Sequence, residues 1–78
     1  MKIWILTNET GHFIEACETR EVAILEMRKW RGNFVKCGLF QEVEEVDTSY
    51  YSRITFKVTD RRGKIREIAA REVSVINN

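Results

Sequence analysis

The chain contains no proline, four glycines, two cysteines and a single histidine in 78 residues. Each shortage removes a class of chemistry. The glycines stand alone, and no G-x-x-x-x-G-K-[ST] run is present, so a phosphate-cradling loop is excluded. Cys17 and Cys37 form no Cys-x-x-Cys motif and are too few for a disulfide scaffold. They are expected to be reduced, small core residues. His12 with the two cysteines supplies three ligands at spacings unlike those of zinc motifs, so no metal or other cofactor is expected. A cysteine nucleophile would need a histidine held by a third group, and these spacings suggest none.

Long apolar runs are also missing. Nothing approaches the ~18 consecutive apolar residues that suggest a membrane span. The opening MKIWILTNETG has one Lys and four apolar residues in a row, unlike a secretory signal. A Lys at position 2 and no cysteine near the C-terminus argue against lipidation. The expectation is a cytoplasmic protein with no membrane partner. Net charge is only +1, which argues against a dedicated polyanion binder. The charge is uneven, however: residues 1–52 carry net −3 and residues 53–78 carry net +4.

What is present reads as one small α+β domain. KIWILT (2–7) is rich in strand formers and apolar on both faces, with Ile3 and Ile5 on one and Trp4 and Leu6 on the other. NETG then predicts a hairpin turn that relies on Gly11, and HFIEAC (12–17) returns as a second strand. Thr19 is a helix N-cap candidate, and Glu21 suits the positive end of the helix dipole. A helix is predicted over 20–31, stopped by Gly32-Asn33. Its core stripe is Ala23, Met27 and Trp30, flanked by Val22 and Ile24, while Leu25 points the other way. Residues 34–46 are expected to be extended, with a break at Gly38 and a bulge before Val46.

RITFKVT (53–59) alternates cleanly, with Ile54, Phe56 and Val58 on one face. DRRG closes a hairpin into KIREI (64–68), with Ile65 inward, and the chain runs on through AAREVSVI (69–76), where Val73 and Val75 are in register. The order ββαβββ predicts an antiparallel sheet with one helix packed on one face, a two-layer fold. The alternative is a small curled, barrel-like sheet plus helix.

The basic hairpin TDRRGKIRE admits two readings. Pairing Lys57 with Arg66 and Glu42 with Lys57 across three strands accounts for the charge asymmetry as an ordinary outer face. Alternatively, Tyr50, Tyr51, Arg53, Arg61, Arg62 and Lys64 would combine stacking rings with phosphate-binding cations, as single-stranded nucleic acid requires. The acidic run Glu42, Glu44, Glu45 and Asp47 lies on an open strand face and reads as solvated. The stronger expectation is a non-enzymatic interaction protein that binds a protein partner, or itself as a homodimer, through an apolar sheet face or edge strand. Its anchors would be Trp4, Leu6, Leu25 and Phe40, on the reasoning that one helix covers one sheet face and leaves the other exposed.

Overall fold

The computed structural model describes residues 1–75. Strands β1 (Lys2–Thr7) and β2 (Phe13–Cys17) precede helix α1 (Arg20–Cys37), which is followed by β3 (Glu42–Val43), β4 (Arg53–Thr59) and β5 (Ile65–Ser74). The strands form one antiparallel sheet in the order β2-β1-β5-β4-β3, with α1 packed across one face. The sheet stays open, so the two-layer architecture holds and the barrel-like alternative does not. Residue 76, the end of the last predicted run, lies outside the described residues.

Two hairpins are built by the same local chemistry. In Asn8–His12 and Asp60–Lys64, the first residue's N–H donates to the fifth residue's carbonyl, at 2.8 and 2.9 Å. The fourth residue, Gly11 or Gly63, donates back to the first carbonyl and adopts φ 84°. The Asn8 Oδ1 accepts the N–H groups of Thr10 and His12, and the Asp60 Oδ1 accepts those of Arg62 and Lys64. A side-chain oxygen thus ties the turn together, and glycine supplies the left-handed position at no steric cost.

This five-residue turn corrects the expected register. Thr59 faces Ile65, Lys57 faces Glu67 and Val58 faces Arg66. On the other side, Glu42 faces Thr59 and Val43 faces Val58. The outer face therefore pairs Lys57 with Glu67, not with Arg66. Ile65 points outward at 64% exposure instead of inward. With this register β5 is one continuous strand and needs no phase slip.

Helix α1 begins as expected, with Thr19 Oγ1 accepting the Val22 N–H at 3.2 Å. It does not stop at Gly32-Asn33 but continues to Cys37 and ends on Gly38 in the left-handed conformation. Helical glycine costs about 1 kcal/mol. Against that, the added turns bring Phe34 onto the core, where its ring meets Trp30, Phe40 and Phe56 with centroids 6.0, 5.2 and 5.8 Å apart. Edge-on aromatic pairs contribute roughly 0.5–1.5 kcal/mol each beyond area burial, so the packing outweighs the glycine. The apolar stripe is Ala23, Met27, Trp30 and Phe34. Cys37, at the exposed end, is not a core residue, whereas Cys17 is buried. Residues 38–47 are mostly irregular, and the chain stays beside β4 through the Glu44 N–H to Lys57 carbonyl bond and an Asp47–Thr55 bridge.

The face covered by α1 is the reverse of the expected one. Trp4, Leu6, Ile54, Phe56, Val58, Ile68 and Ala70 are buried beneath the helix, while Ile3 and Ile5 lie on the side it does not cover. The register explains this: Leu6 pairs with Ala70, which pairs with Ile54, so the clean alternation of β4 dictates the parity of β1. Leu6→Ala should then cost about 2–5 kcal/mol in denaturant unfolding, and Ile3→Ala less than about 1.5 kcal/mol. A larger loss at Ile3 would contradict the assignment of faces.

Candidate functional site

The four expected partner-binding anchors do not form a surface. Trp4 and Leu6 are 2% and 0% exposed in the core. Phe40 is half-buried, with its ring packed edge-on against that of Phe34. Leu25 is 64% exposed, but it lies on the outer side of α1 beside a shallow hollow lined by Glu21, Ile24, Arg28 and Thr48. The physical reason is the parity of β1, which turns Trp4 and Leu6 toward the helix.

The basic residues are likewise dispersed. Tyr50 and Tyr51 precede β4, and Arg61, Arg62 and Lys64 follow it, so the seven-residue strand separates rings from hairpin by about 20 Å. Tyr51 meets the edge of Trp4 and lies under the Arg20 guanidinium, 5.3 Å from its ring centre. Arg20 also donates to the carbonyls of Thr48, Tyr50 and Tyr51, which fastens this loop to the start of the helix. Arg61 donates to the Gly38 carbonyl at 2.8 Å, and Gln41 Nε2 donates to the Arg61 carbonyl. Arg53 forms an ion pair with Glu67. The exposed side chains of Arg62 and Lys64 remain at the hairpin tip.

The surface that the fold does assemble is the open face of the sheet. Across it, Ala16, Ile5, Arg71 and Arg53 align in one row. Phe13, Thr7, Ala69 and Thr55 form the next row, and Ile3 pairs with Val73 on the other side. Phe13 is 64% exposed and Val73 38% exposed, and Ile3 and Ile5 are half-buried with no helix above them. The Arg53–Glu67 pair spans the row containing Ala69, which accounts for the burial of that alanine on an otherwise open face. A shallow depression of about 440 Å³ lies between the β1–β2 turn and β5, lined by Ile5, Thr7, Asn8, Glu67, Arg71 and Val73 among others. Ile3, Ile5, Phe13, Ala16 and Val73 were all visible in the sequence. What was missing was the β1–β5 pairing, which joins residues about 70 positions apart and leaves no local signal.

A second cluster lies at the other edge of the helix layer. A bulge in β2 beside the Leu6/Thr7 register shift turns Ile14 and Glu15 toward α1. There they line a hollow of about 340 Å³ with Glu26, Lys29, Trp30 and Asn33. A hydrogen bond with Glu26 raises the Glu15 pKa above its usual 4.5, aided by burial and by the Glu26 charge and opposed by the Trp30 indole and Lys29. Burial, and then the charges of Glu15 and Glu26, raises the Cys17 thiol, which makes it a poor nucleophile at neutral pH. Among the described residues no group of three or more His, Cys, Asp or Glu is placed to hold a metal ion. Comparison with known protein families, curated proteins and solved structures finds no match to this chain.

Two pH-dependent outcomes follow from these carboxylates. A raised folded pKa means that ionised Glu15 destabilises the fold above that pKa. Glu15→Gln should therefore raise Tm at pH 7, and the gain should vanish as pH falls toward and below 4.5. Asp60 has the opposite sign. Its carboxylate is held below the usual 3.8 chiefly by the Lys64 N–H, against burial, with the Arg62 N–H and the Arg66 and Arg62 charges assisting. The stability it contributes is present above 3.8 and lost as pH falls through the folded value, so the deficit of Asp60→Ala in thermal melts should shrink on acidification.

Proposed function

We propose that this protein works by binding and not by catalysis, as a small interaction protein that docks a protein partner on the open face of its sheet. The observation that carries the reading is the apolar half of that face, where Ile3, Ile5, Phe13, Ala16 and Val73 lie together without a covering layer. Single exposed apolar side chains are ordinary, but a contiguous group on a rigid sheet marks an interaction site. The neighbouring edge strand β2 has no proline and no lysine to discourage strand addition, so a partner could lie against both face and edge. The unpaired thiols of Cys17 and Cys37 suit a reducing compartment such as the cytoplasm.

A binding role also fits the titratable groups. The Glu15–Glu26 pair sits in a shallow hollow with no neighbouring nucleophile of low pKa. Partner binding in a lysate, tested by capture on immobilised protein with and without nuclease, should survive nuclease and survive Leu25→Glu. It should fall about tenfold or more in Phe13→Asp and Ile5→Lys, provided both variants keep the wild-type circular dichroism. Capture that disappears with nuclease, or that depends on Leu25 and not on Phe13 or Ile5, would contradict the reading.

A further inference from the structure

We infer that the segment docked on the open face carries a carboxylate set among apolar side chains, and that Arg71 receives it; this rests on the docking reading above. Arg71 lies on β5, the middle strand of the five, paired on one side with Ile5 and on the other with Arg53. Its neighbours two residues away along the strand, on the same face, are Ala69 and Val73. Three of its four nearest positions on the face are therefore apolar, and the fourth is another arginine.

Like charges directly opposite in a sheet destabilise it. Here only one of the two is compensated inside the chain. Arg53 is ion-paired with Glu67, and Lys57 faces the same Glu67 across the β4–β5 ladder. Among the described residues Arg71 takes part in no ion pair, although it is exposed and within the lining of the 440 Å³ depression. An external carboxylate would supply the missing counter-charge. It would meet a planar, two-pronged donor whose backbone is held by strands on both sides.

The surroundings favour a carboxylate on a protein segment over a phosphate chain. A polyanion gains affinity from a row of available cations. On this face Arg53 and Lys57 stand beside Glu67, and Glu9 and Glu67 both line the depression next to Arg71. An arginine bordered on three sides by Ile5, Ala69 and Val73, with Ile3 and Phe13 beyond, instead matches the anatomy of a protein hot spot: an arginine set among apolar contacts.

The test is selection of random linear peptides displayed on phage against the full chain, followed by fluorescence anisotropy of the enriched peptides. Enrichment of sequences with Asp or Glu beside apolar residues is expected. Their affinity should fall about tenfold to thirtyfold in Arg71→Leu, which keeps the face apolar, and by a similar factor when the peptide's acid is changed to its amide. Peptides that require Phe13 and Ile5 but show no acidic bias and ignore Arg71→Leu would overturn this inference and leave the docking reading standing. Peptides indifferent to Phe13→Asp, or a selection that enriches nothing, would overturn both. Two other results would assign the face to a different occupant and overturn the inference. One is a dimer in sedimentation that dissociates in Arg71→Leu. The other is retardation of a single-stranded oligonucleotide at low salt that the same variant removes.

Discussion

One helix must shelter one side of a sheet, and the rest of the molecule follows from how that is done. At 1.5 Å per residue the 18 residues of α1 span about 27 Å, and five strands at roughly 4.8 Å spacing make a sheet about 19 Å wide. A rod of this length laid across the sheet can cover one face and has nothing left for the other. The covered side is accordingly dense: Trp4, Leu6, Ile54, Phe56, Ile68 and Met27 are almost wholly shielded. Phe34 is the pin of this contact, since it joins the last turns of the helix to β4 and to the loop that carries Phe40.

The same constraint organises the polar chemistry. No buried side-chain nitrogen or oxygen lacks a partner among the described residues, so the core contains no polar network left unpaired and available for chemistry. Charges are placed at the margins, where Lys2 meets Glu72, Arg31 meets Glu45 and Arg66 meets Asp60. Such exposed pairs contribute little to stability. Their arrangement matters more for what it leaves over: on the open face Glu67 is ion-paired with Arg53 and faces Lys57 across the ladder, while Arg71 takes part in no ion pair among the described residues. The features on which the proposed docking rests are thus by-products of a one-sided core: apolar groups on a rigid platform and, beside them, an arginine that takes part in no ion pair among the described residues.

The sequence made legible what local chemistry decides. Thr19 as helix cap, Gly11 and Gly63 in the turns, and the alternation of 53–59 all have short-range causes, and all are found. What escaped it depends on distant partners. KIWILT is apolar at both parities, so only its pairing with β5 shows that Trp4 and Leu6 face inward. Gly32-Asn33 looks like a stop until Phe34 is seen to have rings to pack against. The extra residue in the Asp60–Lys64 turn shifts β5 by one position, which moved Ile65 and Arg66 to the opposite faces from those expected. The candidate site was hidden for the same reason: Ile3, Ile5, Phe13, Val73 and Arg71 come from three strands, and only the register brings them together.

The central claim, a sheet covered on one side and open on the other, is tested most directly by isoleucine-methyl NMR with a soluble paramagnetic relaxation agent. Isoleucines occur on both faces. The account predicts that the methyl signals of Ile3, Ile5 and Ile65 broaden strongly while those of Ile54 and Ile68 persist. Protection of Ile3 and Ile5 equal to that of Ile54 and Ile68 in the isolated protein would contradict it.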